Sequence, residues 1–368
     1  MPEVLDLFTE LAAVPSPPGE ERVVADLVVS YLRDCGLAPE EDACGPAIGS
    51  TMGNVYARLE ATADGEPLFL CAHLDTVPPT APIEPVVEDG VVRNAAGTIL
   101  GADDKAAVAV MLEAARRVLA ERRAHAGIEL LFTPKEEVGL VGAFAFDEKR
   151  LVARIGYVYD QAAPIGVVIL GAPHSQSLEV TFHGRAAHSG MHPEDGRSAI
   201  AAAARAISEL RLGRVDESST ANVGTITGGT ATNIVPEWCT FVAEARSHDE
   251  RKLADLVQEM QDAITFAAGV AECDVETKTR KSYRGYRFSK QDRAVALAAE
   301  ALARCGHEVF YELSGGAADA NVFNDRGLEC VNLANGMTDF HTPAEHIAVA
   351  DLDAMVDVTL ALVDAALA

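Results

Sequence analysis

PLFLCAHLD, residues 67–75, is almost wholly apolar until it ends in a histidine and an acid. A short apolar run without polar alternation is what a strand buried on both faces of a mostly parallel sheet requires. Working outward, DDKAAVAVMLEAARRVL at 103–119 has helical spacing, GIELLFTP at 127–134 reads as a second strand, and IGYVYD at 155–160 as a third. Upstream, VLDLFTELAAV and EERVVADLVVSYLRDCGL read as helices divided by a turn holding Pro15, Pro17, Pro18 and Gly19. Strands alternating with helices predict an α/β unit with a mixed, mostly parallel sheet flanked by helices.

The pattern changes near Ser175. LEVTFHG, the helix SAIAAAARAISEL, the pair ANVGTITGG and CTFVAEARS, the helix DERKLADLVQEMQDAITFAAG and the strand ECDVETKTR follow in sequence. This order is βαββαβ, a two-layer unit of roughly 100 residues. The α/β theme then resumes with a helix from Ser289 to Cys305, the strand HEVFYEL, the Gly-rich SGGAADANVF, the strand LECVNLA and a helix from about Asp351. The expected organisation is one α/β domain over 1–175 and 285–368, interrupted by a second domain over 176–284.

Composition narrows the function classes. Lys plus Arg number 30 against 56 Asp plus Glu, a formal net charge of −26, which opposes binding to a phosphate backbone. No apolar stretch reaches the roughly 18 residues of a membrane span, and no targeting segment is visible. Seven widely spread cysteines without a CxxC pair fit reduced thiols and a cytoplasmic location.

Five places carry residues suited to chemistry. His73 and Asp75 close the strand PLFLCAH, where open α/β sheets place ligand sites, and alternation puts them on one side, so Asp75 can orient the imidazole. Asp103 and Asp104 stand before a helix. One acid there is accounted for by capping; a second, beside Gly101, leaves a carboxylate free for a metal. Glu136 and Glu137 follow GIELLFTP, and paired acids at a strand end can divide labour, one ligating while the other moves protons. Asp160 ends IGYVY, and His341 follows LECVNLA. Each alone could be a bland polar residue. Together they place two imidazoles and several carboxylates, without Cys, on converging strand ends, a set suited to Zn²⁺, Mn²⁺ or Co²⁺ and large enough for two ions bridged by one Asp. No GxSxG elbow, GxxxxGK[ST] loop or opening GxGxxG is present.

HLDTVPP at 73–79, GADDKAAVA at 101–109, TPKEEVGLVGA at 133–143, AAHSG at 186–190, TGGTATNIVPEWCTFVAEARS at 227–247 and FHTPAEHI at 340–347 resemble the di-zinc aminoacylase and carboxypeptidase family. Its members include tripeptidase T, acetylornithine deacetylase and glutamate carboxypeptidase. The likeness runs through nearly the whole chain in the family's order, and Asp160 and TPKEEVGLVGA lean towards the tripeptidase T branch.

The resemblance implies a zinc-peptidase α/β domain interrupted by a ferredoxin-like lid through which the chain can form a homodimer. It implies that His73, Asp103 and Asp160 hold one divalent ion, that Asp103 bridges to a second held by Glu137 and His341, that Glu136 is the general base and Asp75 the partner of His73, and that the Asp103–Asp104 peptide is cis. His188, Asn233, Arg246, Gly315 and Gly316 are implied in substrate binding, Arg246 by forking onto a free carboxylate. For Arg246 the bland alternative is a solvated cation on an edge strand. The expected activity is hydrolysis of short peptides by a tripeptidase T-like aminopeptidase; an N-acyl amino-acid deacylase or a carboxypeptidase would use the same dinuclear site.

Overall fold

In the computed structural model, which describes residues 3–368, the opening run forms a strand at Leu68–His73 with every residue buried. It pairs in parallel with Ile128–Thr133 on one side and Ile155–Val158 on the other, both also wholly buried. The expectation drawn from the unalternating apolar runs is met, because helices cover both faces: Val4–Ala12, Ala102–Glu121, Arg293–Arg304 and Val349–Ala365 all contribute to one apolar core with these strands.

The sheet has nine strands and is mixed. Val55–Leu59 runs antiparallel to Ile128–Thr133. Glu329–Leu333, from late in the sequence, lies parallel to Ile155–Val158 and antiparallel to Val167–Ala172. Four strands therefore point the same way, and their carboxyl ends share one rim. At the centre, Gly156 is dictated by packing: a Cβ built there would lie 2.1 Å from Phe69 Cζ. The helix expected from Ser289 begins later, at Arg293. Ser289 instead closes a turn with Asp292, its N–H and Oγ each donating to that carboxylate at 2.8 Å, a local side-chain bond that competes with helix.

By contacts the chain divides into residues up to Gly171 with Arg287–Ala368, and a second unit, Ala172–Tyr286. The second unit contains the strands His174–His183, Ser219–Gly228, Trp238–Ser247 and Asp274–Tyr283 and the helices Ala199–Glu209 and Glu250–Ala271. Its sheet order is Ser219–Gly228, Trp238–Ser247, His174–His183, Asp274–Tyr283, with every pair antiparallel and the two-residue Gly213–Arg214 added at one edge. This is the ferredoxin-like arrangement. The helices start on real caps: Ser198 Oγ accepts from Ala201 N at 3.2 Å, and Asp249 accepts from Arg251 N and Lys252 N. Their apolar faces share a core with Leu178, Phe182, Phe241 and Ala245. Trp238–Ser247 is an interior strand, so the edge-cation reading of Arg246 is wrong: Ser219–Gly228 pairs with it on one side and the earlier strand His174–His183 on the other. All seven cysteines are free, and among the described residues no helix is long and apolar enough to cross a membrane.

Candidate active site

His73 terminates its strand with 2% exposure. Its Nε2 lies 3.0 Å from Asp103 Oδ1, and its Nδ1 lies 2.8 Å from the main-chain oxygen of Asp75. The Asp75 carboxylate stands 3.6 Å from that nitrogen. It is engaged instead by two N–H donors, Glu136 at 2.9 Å and Glu137 at 3.1 Å. The acid expected beside His73 thus orients the imidazole mainly through its backbone, while its side chain fixes the turn carrying the two glutamates.

Asp103 and Asp104 lie at the start of Ala102–Glu121, yet neither has helical φ/ψ, and the peptide between them is cis. Neither caps the helix. Gly101 precedes them with φ +78°, in the left-handed region that a glycine enters without cost. The turn is held from far away in sequence. Glu345 Oε2 accepts from Leu100 N at 2.7 Å and Gly101 N at 2.8 Å, and its Oε1 accepts from Asp103 N at 3.1 Å. Glu345 is 2% exposed and sits four residues after His341, so one segment supplies both an imidazole and the brace of the opposing turn.

The two oxygens of Asp103 face two different imidazoles. Oδ1 meets His73, and Oδ2 lies 3.1 Å from His341 Nε2, which also lies 2.9 Å from Glu137 Oε1. Asp160 follows its strand after one residue, Tyr159. Its main chain is clamped by Asn332, which accepts from Asp160 N at 3.0 Å and donates to Asp160 O at 2.7 Å. Candidate ligand atoms of His73, Glu136 and Asp160 lie within 4.8 Å of one another, as do those of His73, Asp103 and Glu137.

These groups are electrostatically crowded. Burial pushes Asp160 well above its ordinary carboxylate range, and Asp103 and Glu136 push it further. Burial likewise raises Glu136, with Asp319 and Glu137 adding to it and His73 opposing. Burial alone would lower His73, but Asp103, Asp75 and Glu136 outweigh it and raise it well above the usual histidine value. His341 is pushed up to about 10 by its bonds to Asp103 and Glu137. Asp103 is lowered despite burial, because both imidazoles hold it ionised. Buried acids in excess of neighbouring cations, arranged around two imidazole nitrogens, are a donor set that fits divalent cations. Among the described residues the Glu136 carboxylate accepts no hydrogen bond, and its main-chain N–H is held by Asp75.

Sequence reading missed Glu345, Asn332 and Asp319. The last is 2% exposed and takes a hydrogen bond from Thr133 Oγ1 at 2.5 Å, tying the segment after Gly315 and Gly316 to the strand that leads to Glu136. Those two glycines lie between Phe310–Leu313 and Ala320–Asp325. A Cβ at Gly315 meets nothing within 4 Å, and at Gly316 only Ser314 Oγ at 3.9 Å, so open space rather than backbone strain surrounds them.

In the second unit, the structure brings His188 and Asn233 together. Ser189 N donates to Asn233 O at 3.0 Å, His188 bridges to Ile234, and both candidate side chains are exposed. Arg246 lies elsewhere, half-buried on Trp238–Ser247 and 3.0 Å from Glu244. It is eight residues from Trp238, a span of about 26 Å at roughly 3.3 Å per residue. Asn233 lies beyond the Trp238 end.

Comparison with known proteins agrees with this arrangement. A model of peptidase family M28 matches residues 54–170, and a model of the peptidase dimerisation domain matches residues 171–272. The chain is 36% identical to the uncharacterized protein YqjE of Bacillus subtilis strain 168, over 99% of this chain and 98% of that one. The crystal structure of aminopeptidase PepT from Bacillus cereus ATCC 10987 superposes with a TM-score of 0.88 at 35% identity, covering 99% of this chain and 98% of that one. A tripeptidase from Staphylococcus aureus Mu50 gives 0.92 at 33% identity, covering 98% and 97%. Similar from end to end to PepT and to a tripeptidase, and with both peptidase domains in order, the chain belongs to their family of metal-dependent peptidases.

Proposed function

We propose that this chain is an aminopeptidase for short peptides, tripeptides foremost, working with two divalent ions per chain, zinc before manganese or cobalt. The observation that carries the reading is Asp103, whose two oxygens address His73 on one side and His341 on the other. His73, Asp160 and Asp103 would hold one ion, and Asp103, Glu137 and His341 the second. When bound, such ions polarise the scissile carbonyl and bring the pKa of a water towards neutrality.

The chain's own groups supply the rest. Glu136, unbonded and raised by its surroundings, takes the proton of the attacking water at its carboxylate and returns it to the leaving amine. Asp75 keeps Glu136 and Glu137 at fixed height through their N–H groups, and the Asp75 carbonyl fixes which nitrogen of His73 faces Asp103. Gly315 and Gly316 leave room for the peptide backbone.

His188 and Asn233 are assigned to the developing oxyanion, and Arg246 to the substrate's carboxylate. Because they occupy opposite ends of one sheet, one chain's inserted unit cannot put all three on a single short peptide. This supports a homodimer formed through the dimerisation domain, in which the two chains share the contacts.

Glu136→Gln tests the reading. The variant keeps two ions per chain by elemental analysis and loses turnover of Leu-Gly-Gly by about 10²–10⁴ or more. Near-native kcat refutes the assignment of the base, and a panel in which N-acetyl amino acids are cleaved and free-amine tripeptides are not replaces the peptidase with a deacylase.

A further inference from the structure

The loops that leave two neighbouring parallel strands enclose a cleft of about 830 Å³. One loop follows Asp160, at the end of Ile155–Val158. The other follows Glu329–Leu333 and leads into His341. The cleft is therefore framed by the segments that carry two residues of the metal-ligand set. Ala162, Pro164, Ile165, Met337 and Phe340 give it apolar walls, and Phe340 stands edge-on to the His341 ring at 4.7 Å.

The walls are braced. Asn335 Nδ2 donates to Tyr159 O at 2.6 Å, Asn335 N to Gln161 O at 3.3 Å, and Gly336 N to Ala163 O at 3.1 Å. With the Asn332 clamp on Asp160, these bonds stitch one loop to the other, so the cleft exists before anything enters it.

Its charge is one-sided. Two acids and one histidine line the cleft, and no Lys or Arg does. Asp351 is half-buried against Gly336 and faces His307. Asp339 is exposed, and among the described residues its carboxylate has no hydrogen bond or ion pair. Its backbone is pinned at φ +54°, with Thr342 Oγ1 donating to its carbonyl at 2.7 Å. An apolar lining that includes an exposed, unengaged carboxylate suits an apolar group that carries an ammonium, and it repels a carboxylate.

We propose that this cleft is the subsite for the N-terminal residue of the substrate, its side chain against the Ala162–Ile165 loop and Met337 and its free ammonium against Asp339. The proposal rests on the aminopeptidase reading and adds to it the reason a free amine is preferred over an acylated one. It also predicts rejection of N-terminal Glu and Asp.

Asp339→Asn isolates the charge, since Asn tolerates the left-handed backbone as Asp does. Kinetics on the metal-loaded enzyme with Leu-Gly-Gly, N-acetyl-Leu-Gly-Gly and Glu-Gly-Gly are read beside calorimetric binding of L-leucinamide. The expected result is a KM for Leu-Gly-Gly raised about tenfold relative to the acetylated peptide with kcat little changed, leucinamide weakened by a similar factor, and the penalty on Glu-Gly-Gly reduced; a charge-assisted bond of this kind is worth about that much. Equal effects on free and acetylated peptides, or unchanged leucinamide binding, overturn the subsite. A wild-type enzyme that cleaves no free-amine peptide refutes the aminopeptidase reading, and leucinamide binding still decides the cleft. Should Asp339→Asn fail to fold, Asp339→Gly suits the same backbone and carries the same test.

Discussion

Glu345→Gln separates a brace from a mere packing residue. Glu345 meets three backbone donors: Leu100 N at 2.7 Å and Gly101 N at 2.8 Å on one oxygen, Asp103 N at 3.1 Å on the other. Glutamine offers one oxygen and one NH₂. Its best orientation keeps the two shorter bonds and turns the NH₂ towards Asp103 N–H, so a buried donor loses its acceptor and faces another donor. That costs about 1–3 kcal/mol. The cost falls on the peptide group of the residue placed to bridge two ions, so metal affinity should weaken by about 10–100-fold, the range seen when the partner of a ligand is removed. Urea denaturation of the metal-free protein and calorimetric titration with Zn²⁺ measure the two effects separately. If stability falls while zinc affinity stays within about twofold of wild type, Glu345 braces the fold and not the site, and the reasoning fails.

Two further outcomes are expected. His341 is pushed up to about 10, so near pH 7 its ring holds a proton that coordination must release, and the acids around His73 raise it in the same direction. Raised values in the metal-free state mean that affinity falls as pH falls. The proton released by His341 corresponds to a loss of about tenfold from pH 8 to pH 7, at about 1.4 kcal/mol; titrations in buffers of different ionisation enthalpy count released protons, and a count near zero would falsify the assignment of His341 as a ligand. Gly156→Ala drives a methyl into the Phe69 ring, whose Cζ, Cε1 and Cε2 lie 2.1, 2.2 and 2.4 Å from the built Cβ. It should cost about 1–3 kcal/mol, visible as a lower urea midpoint and partly restored by Phe69→Leu; an unchanged midpoint shows that the sheet yields there.

The fold could be read from the sequence where one physical pattern has one structural meaning. The unalternating runs at 67–72 and 128–132 need cover on both faces, and the βαββαβ order admits few sheets. The acids and histidines that end such runs stood out because nothing in a buried strand calls for them, and the structure gathers His73, Asp103, Glu136, Glu137, Asp160 and His341. What could not be read depends on contacts between distant segments. Glu345 bonds a residue 242 positions earlier, and Asn332 looks like any strand residue until Asp160 is placed beside it. The interior position of Arg246 follows from the order of strands in the sheet, which differs from their order in the chain. The capping account of Asp103 and Asp104 failed because a bend, and not a helix turn, occupies that point.

The strand Glu329–Leu333 wedges between Ile155–Val158 and Val167–Ala172, strands that the ribosome delivers more than 150 residues earlier. During synthesis the catalytic sheet therefore waits with a slot open while the whole of Ala172–Tyr286, a contiguous stretch with its own core, emerges and can fold first. At translation speeds of roughly 5–20 residues per second, about 3–12 s pass between the end of that stretch and the arrival of Glu345. Over that interval the nascent enzyme carries an unfilled strand position and an acid cluster lacking one histidine. The sheet and the ligand set are thus complete only once Glu329–Leu333 and His341 have emerged, and a chain cut short after the inserted unit lacks both.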